Sequence, residues 1–132
     1  THMAVTRTSL SKEVRDALCA PYNSWENRRA VLRFVQDIPL DERDPSWPDV
    51  VEVERDLSQF DDRPVLICWG DKDFVFDHHF LRVWKEHLPS AAVHRYPDCG
   101  HYVLEDAREE IVALVEDFWA DPAGPQKEGV SP

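Results

Sequence analysis

Two short motifs carry residues able to do chemistry. Trp69-Gly70-Asp71-Lys72-Asp73 directly follows an apolar run, and Asp98-Cys99-Gly100-His101-Tyr102 precedes a strongly amphipathic stretch. A histidine held by a carboxylate keeps one tautomer and gains a partner for the imidazolium that forms when it takes a proton. That is the equipment of a general base in nucleophilic catalysis. His101 supplies the imidazole, while Asp71 and Asp73 both offer the carboxylate. The expected third member is a nucleophile on a sharp strand-to-helix turn of the form Gly-x-Ser/Asp-x-Gly. The glycines are Gly70, Gly100, Gly124 and Gly129, no two of them four apart, so these residues are expected to hold no such turn. Cys99 is not read as a substitute, because small residues are needed at its turn and the neighbouring His101 would point elsewhere. No phosphate-cradling or dinucleotide glycine pattern and no zinc-type His/Cys cluster appears. His78 and His79 are adjacent rather than i, i+4 and read as helix surface, so neither metal nor cofactor is expected.

For the two motifs to meet, each must lie at the end of a strand. Pro64 to Trp69 is continuously apolar and bounded by Gly70, as in a strand buried on both faces of a parallel sheet. Ala91 to Tyr96 predicts a second short strand. Between them, Asp77 to Leu88 predicts a helix with Phe80, Trp84 and Leu88 at i, i+4, i+8. Ala107 to Trp119 predicts the clearest helix, with Ile111, Leu114, Val115, Phe118 and Trp119 on one apolar face. This order predicts a right-handed βαβ connection with neighbouring parallel strands. Asp73 and His101 would then stand at adjacent strand ends, where open α/β sheets place their ligand-facing loops. Asp98 is expected to shape the His turn, Gly100 to supply an unusual backbone angle, and Glu105 and Asp106 to favour the N-terminus of the last helix. Two strands alone do not make a sheet covered on both faces. Other strands are therefore expected from another chain or from a longer polypeptide.

Upstream, Ser9-Leu10-Ser11 opens a short helix with Leu10, Val14, Ala17 and Leu18 on one face, ending near Pro21. Ser24 is placed to cap a helix from about Trp25 to Gln36, along which Val31, Phe34, Val35 and Ile38 fall at i, i+3, i+4, i+7. Pro39 ends it. Asp41 to Pro48 reads as a charged, proline-bearing linker, and a third helix is expected from Pro48 to Leu57 with Val50, Val53 and Leu57 inward. The residues after Asp121 have no period and are expected to be disordered.

The 132 residues suffice for one domain with a core of its own, and 42% are apolar. The formal charge of −11 argues against nucleic acid or an anionic membrane as partner. Cys19, Cys68 and Cys99 are an odd number without C-x-x-C spacing, which fits reduced packing residues in a cytoplasmic protein. The first residues given have no long apolar run, so no secretory leader is expected. Thr1-His2-Met3 reads either as a vector scar or as native sequence in a chain cut from something longer.

Arg63 to Asp73, with its strand-Trp69-Gly70-x-x-Asp73 pattern, and Tyr96 to Asp106, with Asp98-Cys99-Gly100-His101, resemble the C-terminal part of the α/β-hydrolase superfamily. Ala20 to Ala30 and Phe34 to Leu40 look like the end of the cap in its haloalkane-dehalogenase-like branch. That branch includes haloalkane dehalogenases, relatives of epoxide hydrolases and the β-lactone hydrolases of olefin biosynthesis. The resemblance covers roughly residues 4 to 119. It implies Asp73 as the triad acid, in preference to Asp71, and His101 as the base. In the branch with an Asp nucleophile, His101 would activate the water that hydrolyses an ester on that nucleophile. In members that carry the acid on an earlier strand, Asp73 would be structural. Tyr22, Trp25 and Phe34 would line a substrate pocket under the cap or, equally, pack the cap itself.

The fold class expected is α/β: the C-terminal part of an α/β-hydrolase fold, with two parallel strands, flanking helices and preceding cap helices. Residues 1–40 would be the end of the cap, 41–62 a linker and returning helix, 63–120 the last two βα units, and 121–132 a disordered tail. The complete enzyme would act on a small apolar substrate, a haloalkane, epoxide, lactone or ester, with an Asp or Ser nucleophile. An N-terminal half or a homo-oligomer would complete the sheet, and the isolated chain would be inactive. The readings left beside this one are a non-catalytic module that self-associates through its open sheet, and half of a serine-esterase-type hydrolase.

Overall fold

The computed structural model describes residues 3–121. The expected disordered tail lies outside the described residues, apart from its first position. Within 3–121 the chain forms two units, one of residues 11–58 and one of residues 3–10 together with 59–121. The division of the chain falls at Ser11. Residues 4–8 are held by hydrogen bonds to partners about 100 positions later, which no local pattern reveals.

In the unit of residues 11–58, Ser11 caps α1 (Lys12–Cys19), its hydroxyl accepting the Val14 N–H at 3.3 Å. Two 3-10 turns follow, Ala20–Tyr22 and Glu26–Arg28, and then α2 (Arg29–Gln36). The helix expected to be continuous from Trp25 thus begins as a tight turn. Ser24 serves that turn, accepting from the Asn27 N–H at 3.2 Å. The stretch read as a linker is pinned by Asp44, whose carboxylate accepts the N–H groups of Leu40 and Asp41. It leads into α3 (Trp47–Asp56), with Pro48 in its first turn.

No residue of this unit is buried, and the apolar stripes expected to face inward do not. Val31, Phe34, Val35 and Ile38 on or just beyond α2, and Val50 and Val53 on α3, are exposed. An amphipathic stripe is buried only when another layer packs on it. Helices of eight to ten residues in this unit offer each other no such layer.

A 3-10 turn at Leu57–Phe60 spans the boundary, and the other unit holds β1 (Leu66–Gly70), α4 (His78–His87), β2 (Ala92–Tyr96), the short α5 (Val103–Asp106) and α6 (Arg108–Ala120). β1 and β2 pair in parallel, in the register Leu66↔Ala92 through Gly70↔Tyr96. The expected neighbouring strands are therefore present. From Leu66 to Trp69 β1 is half-buried rather than covered on both faces, because the sheet among the described residues has two strands.

The core joins Tyr96, Cys99, Ala107 and Ile111, with Cys68, Val103 and Val115 packed against them. On α4 it is Leu81, with Leu88 just past the helix end, that is buried. Phe80 and Trp84 are exposed, so of the Phe80, Trp84 and Leu88 stripe read from the sequence only Leu88 is buried, and Leu81 takes the place of Phe80. On α6, Ile111 is buried while Trp119 leaves the apolar face and is 75% exposed. The helix expected from Ala107 starts a turn earlier as α5 and bends at Ala107, whose ψ of 34° is not helical. Among the described residues no helix is long and apolar enough to cross a membrane.

Candidate active site

The strand ladder does not stop where the strands do. Beyond Gly70 and Tyr96, the Asp71 N–H donates to the Tyr96 carbonyl at 3.0 Å, and the Lys72 N–H to the Cys99 carbonyl at 2.9 Å. The two loops that carry the motifs are thus bonded to each other as a continuation of the sheet. Gly70 is required at this junction. A Cβ on it would stand 2.8 Å from the Cys99 carbonyl oxygen and against the Gly100 carbonyl oxygen as well. Gly100 is required for the same reason, since its Cβ would meet the Ala4 carbonyl oxygen at 2.7 Å. Neither glycine has positive φ, so the unusual angle expected of Gly100 is absent and close approach is its function.

This junction brings Asp73 and His101 together. The imidazole Nδ1 lies 3.0 and 2.9 Å from the two carboxylate oxygens of Asp73. A carboxylate only accepts, so Nδ1 carries a proton, and in the neutral form of the ring Nε2 is the nitrogen with the free lone pair. Asp73 in turn accepts the N–H groups of Val75 at 2.8 Å and Phe76 at 3.0 Å, which fix its side chain. Burial pushes the Asp73 carboxyl up, but the hydrogen bonds from His101, Phe76 and Val75 outweigh it and hold it below the usual carboxylate range. The acid is therefore ionised at neutral pH beside an oriented imidazole.

Asp71, the competing carboxylate, is committed elsewhere: both its oxygens take the Arg95 guanidinium at 2.9 Å. Phe74, Phe76 and Tyr102 surround the His101 ring at centroid distances of 6.0, 5.6 and 5.7 Å, giving it apolar flanks. These rings were not singled out in the sequence, although two of them lie within three residues of Asp73.

The remaining candidates divide. Tyr22 and Trp25 line one hollow of about 590 Å³ with Arg28, Arg29, Val31, Leu32 and Val35. Phe34 lies apart from them, beside a second hollow with Ala30, Arg33, Gln36 and Asp37, so the three aromatics do not share one surface. Cys99 is fully buried, and its thiol is pushed up to about 11, chiefly by burial. It does not face a reactant as a thiolate. Asp77, His78 and His79 place one potential ligand atom each within 4.8 Å of one another, but all three are exposed and Asp77 is occupied as the N-cap of α4.

Asp106 departs most from its sequence reading. Expected to favour a helix N-terminus, it is instead buried and accepts N–H groups from Gly100 and from Thr6, Arg7 and Thr8. Asp98, expected to shape the His turn, pairs through both oxygens with Arg7 at 2.8 Å and offers its carbonyl to the Thr6 hydroxyl.

Parallel strands with helical crossover, and a histidine and an acid on adjoining loops past their carboxyl ends, define the class. The chain belongs to the α/β-hydrolase fold family, whose sequence pattern matches residues 3–107. It is similar to the cis-3-alkyl-4-alkyloxetan-2-one decarboxylase of Shewanella oneidensis, at 48% identity over 120 residues, 91% of this chain and 38% of that protein. It is also similar to the cis-3-alkyl-4-alkyloxetan-2-one decarboxylase of Xanthomonas campestris pv. campestris, at 44% identity over 105 residues, 80% of this chain and 35% of that protein. The chain thus spans little more than a third of the length of these relatives.

Proposed function

We propose that this chain is the C-terminal portion of an α/β-hydrolase-fold enzyme that opens the four-membered ring of an oxetan-2-one. In this reading His101 is the base and Asp73 its acid partner. The nucleophile and the remaining strands lie on another stretch of polypeptide. One observation carries the reading: the contact of His101 Nδ1 with both oxygens of Asp73, at 3.0 and 2.9 Å, past the ends of two paired parallel strands. An imidazole so held offers Nε2 to take a proton from a nucleophile or a water. Asp73 stabilises the imidazolium that results. Decarboxylation transfers no net proton, so a proton that Nε2 takes from the nucleophile returns to it as the alkene and carbon dioxide leave.

The names of the two relatives support the oxetan-2-one as substrate class and loss of carbon dioxide as the outcome. That outcome breaks the ring O1–C4 and C2–C3 bonds and leaves an alkene and carbon dioxide with no net water. Hydrolysis would add water and leave a β-hydroxy acid. The half-buried β1 and the exposed apolar faces of α2 and α3 support completion of the fold by further polypeptide.

The test is a chimera in which this chain replaces the matching segment of the Shewanella oneidensis relative. It is expected to convert a cis-3,4-dialkyl oxetan-2-one to alkene and carbon dioxide, followed by gas chromatography. His101→Ala is expected to lower kcat by about 10³-fold or more. A folded chimera that retains its turnover after His101→Ala would overturn the role of the histidine. A folded chimera that yields only β-hydroxy acid would overturn the decarboxylation.

A further inference from the structure

Two backbone N–H groups bracket His101, and each is taken by a group outside the His turn. The Gly100 N–H donates to Asp106 Oδ2 at 2.8 Å, and the Tyr102 N–H to the Ala4 carbonyl at 2.7 Å. The same Asp106 carboxylate accepts the N–H groups of Thr6 at 2.9 Å, Arg7 at 3.0 Å and Thr8 at 2.9 Å, and the Thr8 hydroxyl at 3.1 Å. Residues 4–8 therefore cross the loop of residues 98–102 as a strap. Asp106 is the point where strap and loop are joined.

Asp106 is only 4% exposed, and a carboxylate is costly to bury unless its charge is met. Here it is met by backbone donors and one hydroxyl. Arg7, the cation on the strap, directs its guanidinium to Asp98 and Glu110. Such an arrangement has no need of the helix that Asp106 terminates, but it fixes the backbone on one side of His101 directly and on the other through Ala4. The close approach of Ala4 to Gly100, which leaves no room for a Cβ, holds the strap against the loop from the same side.

We infer that Asp106 is a positioning residue: it ties residues 4–8 across the 98–102 loop and so sets where the His101 ring stands relative to Asp73. The inference rests on the reading of His101 as the base. A displacement of about 1 Å in such a group costs about 10²-fold in rate. A purely structural carboxylate would change how much of the protein folds, not how His101 behaves once it is folded.

Two readouts separate these cases. In the 132-residue chain, long-range ¹H–¹⁵N NMR reports the His101 tautomer and its titration. In the chimera, steady-state kinetics report kcat and KM. Asp106→Asn is expected to move the His101 titration midpoint by about 0.5 pH or more in the folded chain and to mix its tautomers. It is expected to lower kcat about 10–100-fold with KM within about twofold. Thr8→Val, which removes one neutral donor and leaves the charge satisfied, is expected to move both readouts in the same direction by less. It decides the matter if Asp106→Asn does not fold. Folded variants with His101 signals and kcat like those of the parent would overturn the inference. If His101→Ala leaves turnover intact, the reading of the base fails on its own, while the NMR arm still decides whether Asp106 sets the ring.

Discussion

Asp106→Asn is also the substitution whose thermodynamic cost follows most directly from the structure. Burial pushes the Asp106 carboxyl up, but the N–H groups of Gly100, Thr8, Thr6 and Arg7 bring it down to about 2, from an ordinary 3.8. At 1.36 kcal/mol per pH unit, that difference is worth about 2 kcal/mol of folding stability. Because the folded value is the lower one, the contribution is complete above about pH 4 and is lost as the pH falls through about 2. Asparagine keeps one acceptor oxygen and turns an NH₂ group toward donors that the carboxylate satisfied. A buried donor left unsatisfied costs about 1–3 kcal/mol, in line with the first figure. Urea unfolding of the chain at pH 7, followed by circular dichroism, is expected to show a midpoint lowered by roughly 1 M for Asp106→Asn. Repeated at pH 5, 4, 3 and 2, the gap between parent and variant is expected to close between about pH 4 and pH 2. A gap below about 0.5 kcal/mol at pH 7, or one that is the same at every pH, would refute the reasoning.

Other consequences are open to measurement. Gly70→Ala sets a Cβ against two backbone carbonyl oxygens that cannot swing aside, so urea unfolding is expected to show a loss of about 1–3 kcal/mol. Thiol labelling of the native chain at pH 8, read by mass spectrometry, is expected to modify exposed Cys19 first, half-buried Cys68 more slowly and Cys99 last. Burial raises both Cys68 and Cys99, and Cys99 is fully enclosed. Arg7→Ala removes a half-exposed pairing with Asp98 and Glu110 and is expected to cost only about 0.5–1 kcal/mol, less at 1 M salt, by the same unfolding assay.

The parts of the site that were legible in the sequence are those set by local order. A continuous apolar run ending in Gly70, a short apolar segment ending at Tyr96 and the helix between them dictate neighbouring parallel strands. Asp73 and His101 then follow as groups on adjoining loops. Residue type and spacing alone left Asp71 beside Asp73, and only the family resemblance preferred Asp73; what occupies Asp71 in the structure is Arg95, across the sheet. The role of Asp106 was hidden for the same kind of reason. An acid at the start of a helix looks like a dipole partner, and its true donors lie about 100 residues earlier, in a stretch with no regular secondary structure. Helical periodicity read correctly where a layer exists, as for Ile111 against Tyr96 and Cys99. It misled on α2 and α3, because a stripe at Val31, Phe34 and Val35 states that a face is apolar and not what covers it.

The account stands or falls on Asp73 and His101 acting as one device. A double-mutant cycle in the chimera, with kcat measured for Asp73→Asn, His101→Ala and both together, tests this most directly. If the acid works only through the histidine, Asp73→Asn alone lowers kcat by about 10²–10⁴-fold, and adding it to His101→Ala costs little more than His101→Ala by itself. Losses that multiply, with the double variant slower than either single variant by the full product of the two, would contradict it.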